Sequence, residues 1–415
     1  MSFVGPFTYI YSIFISEFKI FLGSEIGILV LDQNSLKVYH QFLTNSRVEF
    51  IAYKSNWIYY FSNNGIYKIF INWHFDREPF LIKSNVPKPK KFGISEDYKI
   101  ILDYGDYKKV YNDAGFEDNN YYGNIYWSSF DTLNFPQNYI WNYKLGNVKL
   151  NFSYEYNDYN YIGTQGLGLL IYYKGSLSIK DSVILGTFNR NYKSFTLRDN
   201  KLYILGDKGI DVLNNDFQQE NFIKIDICSQ DAKILKDLVF CKNNIYKIED
   251  NDVKAIMKAI DFEKVRYIHN KYYILAFDGV FEFDGFNLEK IYNERVFDVY
   301  LKNDSIEFIK SPLVSDQFVK VTNVDNKNFL CFRFGIMQLN DSSKVFNFHV
   351  GNVNDCLYHK GFIFIATDNG ILKFSLKNND FQYIINLNGI RELLIFQDKL
   401  LALTKNLIYI LPVNF

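Results

Sequence analysis

A short pattern recurs along this chain and limits what it can fold into. An alternating apolar run ends on a small or hydroxylated residue, a tight turn follows that closes on Gly, and a second alternating run leads away. The clearest copy is Phe362-Ile-Phe-Ile-Ala-Thr-Asp-Asn-Gly370-Ile-Leu-Lys-Phe-Ser375. Related units occupy 20–31, 59–69, 161–170, 202–212 and 273–283, with turns closing on Gly27, Gly65, Gly166, Gly209 and Gly279. Weaker copies turn near Gly105, Asn244, Gly335 and Asn406. Asn-Gly between alternating runs is a strong local hairpin signal, so a type I′ turn with positive φ at both central residues is expected at Asn369-Gly370.

Most successive turns lie 35–43 residues apart, about the length of one four-stranded propeller blade. Two longer intervals, Gly105 to Gly166 and Gly279 to Gly335, are expected to hold an insertion or a blurred extra unit. Each unit also has a leading and a trailing strand, as with Asp355–Tyr358 before and Phe381–Ile385 after the central hairpin in 351–385. A four-strand meander cannot bury both faces alone, so neighbouring units must stack. The expected fold is an all-β β-propeller of four-stranded meander blades, one closed ring of about eight to ten blades forming a single domain over 1–415, with two smaller propellers as the alternative. Val253, Ile256, Met257 and Ile260 fit either a helical face or an outer strand. Phe3 to Ile15 is long enough for an orphan strand plus the first inner strand, and the N-terminal segment is expected to supply the outer strand of the last blade.

Composition agrees. Aromatic residues make up 19% of the chain, with 40 Phe and 33 Tyr against 7 Pro, which suits pleated, half-buried strands. Lys+Arg and Asp+Glu are each 46, a balance that argues against an electrostatic nucleic-acid binder and against an adaptor for anionic membranes.

Ile365-Ala-Thr-Asp-Asn-Gly370-Ile-Leu-Lys-Phe-Ser, Leu22-Gly-Ser-Glu-Ile-Gly27 and Ile162-Gly-Thr-Gln-Gly166 resemble the repeats of two-component regulator propellers, within the WD40/YVTN-like superfamily. About half the units share the likeness. It implies a propeller fold and the kind of module found in bacterial sensor ectodomains.

Cys228, Cys241, Cys331 and Cys356 are scattered among apolar neighbours and are expected to be reduced core thiols. Met1 to Ser16 carries no charged residue and lacks a basic leader, and no run reaches the ~18 apolar residues of a spanning helix. A cytoplasmic location without membrane insertion is therefore expected, with an exported protein as the alternative.

Motifs for metalloprotease, serine-hydrolase and phosphate-cradle chemistry do not occur. No cofactor, metal or catalytic residue is expected. His74, Asp76 and Glu78 could share one strand face, read first as exposed strand polarity and second as divalent-ion ligands. The run Asn85-Val-Pro-Lys-Pro-Lys-Lys91 reads first as a connector between blades and second as a basic patch for an acidic partner. Residues 111–147 form an aromatic-rich insertion or irregular blade, in which Tyr121, Tyr122, Tyr126, Trp127, Tyr139, Trp141 and Tyr143 are the candidate interface. The expected function is a non-catalytic scaffold that binds a protein partner, as a subunit of an assembly. The alternatives are an extracytoplasmic ligand- or glycan-sensing module and, after that, a propeller lyase or hydrolase.

Overall fold

The computed structural model describes residues 2–413 except 17, 45, 73–77, 119, 129–138, 143–144, 177, 226–231, 243, 251, 259, 303–304, 311–317, 325–326, 334, 340–344 and 349–350. Among the described residues there are eleven antiparallel sheets: nine of four strands, one of five and one of two. All but two run as meanders in chain order, so the chain is a β-propeller built on the expected repeat. It divides into two compact units, one of residues Val4–Phe188 with Ser2 and one of residues Asn189–Phe415 with Met1 and Phe3.

The Val4–Phe188 unit holds four sheets, spanning 10–43, 48–83, 91–127 and 139–183. Their first strands, Ile10–Ile15, Val48–Lys54, Lys91–Ser95 and, after the added edge strand Tyr139–Asn142, Gly146–Tyr156, face one another in the order 146–156, 10–15, 48–54, 91–95. Second strands such as Lys19–Ser24 and Trp57–Ser62 are covered on both faces and are almost wholly buried, which is why they read as unbroken apolar runs. Aromatic rings fill the space between sheets: Phe50 stacks on Phe92 at 6.3 Å and Phe21 on Tyr53 at 4.3 Å.

The other unit holds sheets spanning 192–224, 233–258, 262–292, 298–309, 318–347 and 353–386. Its last sheet, of Glu392–Phe396, Lys399–Leu403 and Ile408–Pro412, takes Ser2–Val4 as a fourth strand beside Ile408–Pro412. The expected N-terminal outer strand is thus present, with Phe3 buried in it. The two-stranded sheet, Asp298–Lys302 with Ser305–Ile309, is the extra unit hidden in the Gly279 to Gly335 interval. Val253, Ile256 and Met257 lie on an outer strand, Asp252–Lys258.

The turn signature has a physical basis. At four turns a hydroxyl at or just after the end of one strand donates to a carbonyl at or just before the start of the next: Ser24 to Gly27 (2.8 Å), Thr164 to Gly168 (2.9 Å), Thr367 to Gly370 (2.9 Å) and Thr404 to Leu407 (3.0 Å). The same hydroxyls accept turn amides, as Thr404 does from Leu407 at 3.1 Å. Gly370 is required because a Cβ there would run into the Ile385 carbonyl on the outer strand, at a φ of 150°. The expected type I′ turn at Asn369-Gly370 does not form, since Asn369 is not among the positive-φ residues. Paired positive φ values occur at one repeat turn, Asn63-Asn64 before Gly65, and at turns between first and second strands such as Ser55-Asn56, His269-Asn270 and Lys360-Gly361, while the Thr367 hydroxyl supports the Asn369 turn.

The cysteines correct a second expectation. Cys331, on the second strand of one sheet (Lys327–Phe332), forms a disulfide with Cys356 on the first strand of the next (Val353–His359), with Cα atoms 6.6 Å apart. Cys241 is also disulfide-bonded, and Cys228 lies outside the described residues. Stacking of adjacent sheets joins cysteines that spacing along the chain did not relate.

Candidate functional site

The first strands carry a feature that the apolar pattern does not reveal. In three sheets of the Val4–Phe188 unit the register slips, at the second residue of Ile10–Ile15 (between Ile10 and Ser12) and of Val48–Lys54 (between Val48 and Phe50), and at the sixth residue of the longer Gly146–Tyr156 (between Leu150 and Phe152). Each slip skips one residue in the strand register, namely Tyr11, Glu49 and Asn151. A bulge re-aims the side chain it carries, and all three line one pocket of about 1170 Å³.

The fourth wall comes from the aromatic-rich segment. Its strand Ile125–Trp127 lies along Lys91–Ser95 and brings Trp127 and Ser128 to the pocket. A second short strand, Tyr139–Asn142, lies along the start of Gly146–Tyr156. The candidate interface residues therefore separate. Trp127 is half-buried at the pocket, and Tyr121 is half-buried elsewhere. Tyr122 and Trp141 are each 72% exposed, Tyr126 and Tyr139 are also exposed, and Tyr143 lies outside the described residues.

Polar groups on the pocket wall are pre-arranged. The Gln165 amide donates to Asn151 Oδ1 at 2.8 Å, and Asn151 Nδ2 donates to the Ile10 carbonyl at 2.6 Å. Glu49 Oε1 receives Arg47 at 2.5 Å and Lys88 at 3.1 Å, while the Arg47 guanidinium lies 4.8 Å from the Tyr11 ring. Lys90, Lys91 and Lys149 also reach the pocket, and no carboxylate among the described residues pairs with them. The Lys88–Lys91 run thus contributes to a concave site.

In the other unit, the first strands carry charge in pairs that reach across to a neighbouring strand. Arg266 and Lys264 meet Asp298, Lys320 meets Asp355 at 2.7 Å, and Glu392 receives Lys233 together with the Ser194 hydroxyl at 3.1 Å. Burial would raise the Asp298 carboxyl, but Arg266 and Lys264 hold it below the usual carboxylate range. Burial lowers the Lys264 ammonium to about 8, with Arg266 and Lys320 adding to the effect. Each carboxylate is engaged by a cation, so these groups join sheets to one another.

Among the described residues no three His, Cys, Asp or Glu side chains are grouped to hold a metal ion; His74 and Asp76 lie outside them. No helix among those residues is long and apolar enough to cross a membrane.

No family model matches the chain, and no curated protein sequence matches it. Among solved structures it is similar to the extracellular domain of BT4673 from B. thetaiotaomicron, described with one component systems, at 11% identity and a TM-score of 0.48, over 98% of this chain and 76% of that one. It is similar to the extracellular domain of BT3049, of the hybrid two component systems of the same organism, at 16% identity and a TM-score of 0.35, over 95% and 62% of the two chains. BamB from Moraxella catarrhalis matches at 11% identity and a TM-score of 0.35, over 62% of this chain and 92% of that one. What makes this chain a β-propeller is its own series of four-stranded meander sheets.

Proposed function

We propose that this chain is a non-catalytic binding module that takes a small ligand in the pocket between the first strands of its Val4–Phe188 unit. One observation carries the reading: bulges on three different first strands aim Tyr11, Glu49 and Asn151 into the same cavity, where Trp127 provides a fourth wall. Concave sites with a few convergent polar groups and aromatic walls are the usual form of ligand pockets. Disulfide bonding at Cys331, Cys356 and Cys241 supports an oxidising, exported location in place of the cytoplasmic one, because such bonds persist outside the reducing cytosol. A second reading, docking of a protein partner on the 111–147 segment, is favoured by the exposure of Trp141 and Tyr122.

A thermal-shift screen of small ligands against the wild type, Trp127→Ala and Trp141→Ala decides between them. The pocket reading expects a ligand whose stabilisation is lost in Trp127→Ala and kept in Trp141→Ala. Stabilisation that survives Trp127→Ala places binding elsewhere and overturns it.

A further inference from the structure

We infer that the pocket of the Val4–Phe188 unit is built for an acidic oligosaccharide, a chain of sugar rings bearing carboxylate or sulfate groups; the inference rests on the proposed ligand-binding role of that pocket. The chain as a whole is neutral, yet Arg47, Lys88, Lys90, Lys91 and Lys149 line this cavity against the single carboxylate of Glu49. Glu49 is occupied by Arg47 and Lys88, so Lys91 and Lys149 present charge to whatever enters, with the Lys90 ammonium beside the Gly105 turn. Cations gathered in a concave site concentrate anions there.

The other lining groups narrow the class. At about 1170 Å³ the cavity exceeds the ~300–1,000 Å³ of an ordinary small-molecule site, which leaves room for several linked rings. Tyr11, Trp127 and Tyr154 offer half-buried aromatic surface for the apolar faces of those rings. The wall between them is mixed, since Asn151 and Gln165 can both donate and accept, and the Ser128 hydroxyl, which accepts the Ile51 amide at 3.0 Å, still has its own hydrogen to donate. Sugar hydroxyls donate and accept as well, whereas a phosphodiester backbone only accepts and would face Glu49. The pairing of fixed amides with lysines of no assigned carboxylate fits a ligand with many hydroxyls and a few negative charges.

The test is isothermal titration calorimetry with four probes: tetragalacturonate, a chondroitin sulfate tetrasaccharide, neutral cellotetraose and the oligonucleotide dT4. Each is titrated into the full chain at low and high salt, and into Lys91→Gln/Lys149→Gln and Trp127→Ala. Lys91 and Lys149 are exposed, so the double variant should keep the wild-type melting temperature. An acidic tetrasaccharide should bind best, weaken with salt, and lose at least about tenfold in affinity in the double variant. Cellotetraose or dT4 binding better, with loss in Trp127→Ala, overturns the acidic-sugar class and leaves the pocket as a ligand site. An affinity for the acidic sugar that ignores both salt and the lysine substitutions also overturns it. Binding of none of the four overturns the inference and counts against the pocket reading too.

Discussion

Arg266 and Asp298 face each other through two parallel hydrogen bonds, Nε to Oδ1 at 2.7 Å and Nη2 to Oδ2 at 2.6 Å, with Asp298 fully buried. The pair joins the strand Phe262–Ile268 to Asp298–Lys302, the first strand of the two-stranded sheet. That sheet has no third or fourth strand among the described residues, so its attachment depends on contacts such as this one. Asp298→Ala should lower stability by about 3–5 kcal/mol, because it removes the carboxylate that neutralises the largely buried Arg266 guanidinium. Urea denaturation checks the value, and a loss below about 1 kcal/mol would show that water reaches Arg266.

Lys264 predicts a pH dependence of known sign. Its folded pKa is about 8 against an ordinary 10.5, so between those values the unfolded chain binds more protons and stability rises with pH. Glu263, Asp298, Arg266 and Lys320 are the charged groups that act on it. Lys264→Met should lack this rise, so the stability of the wild type relative to the variant should grow from pH 7 to pH 10. Parallel stability curves would contradict the buried position of the ammonium.

Gly370→Ala tests the repeat turn. The new Cβ meets the Ile385 carbonyl at a φ of 150°, and the expected cost is about 1–3 kcal/mol, read as a lowered melting temperature. An unchanged melting temperature would mean that the outer strand can move aside.

The disulfide makes two predictions at once. Cys331→Ala/Cys356→Ala should lose about 2–4 kcal/mol, the usual effect of closing a loop of this size, here 25 positions. Protein purified without reductant should also show no reactive thiol at Cys331, Cys356 or Cys241 by alkylation and mass spectrometry. Alkylation of these cysteines before reduction would remove the support for an oxidising compartment.

The sequence disclosed what is local. Turn glycines such as Gly27, Gly209 and Gly279 mark the starts of third strands because the hairpin chemistry is contained in a few neighbouring residues. It did not disclose the bulges at Tyr11, Glu49 and Asn151, since a register slip depends on the partner strand rather than on hydropathy. Trp127 stood out in sequence together with Trp141, but only the pairing of Ile125–Trp127 with Lys91–Ser95 separates a pocket wall from an exposed ring. Lys88 to Lys91 read as a connector because its concavity comes from strands more than thirty residues away on either side.

Hydrogen–deuterium exchange of the full chain with and without a bound acidic tetrasaccharide tests the central claim most directly. The account predicts slowed exchange in the first strands Ile10–Ile15, Val48–Lys54 and Gly146–Tyr156 and along Ile125–Trp127, with the Asn189–Phe415 unit unchanged. Protection confined to the exposed stretch around Tyr122, or located in the Asn189–Phe415 unit, would contradict it.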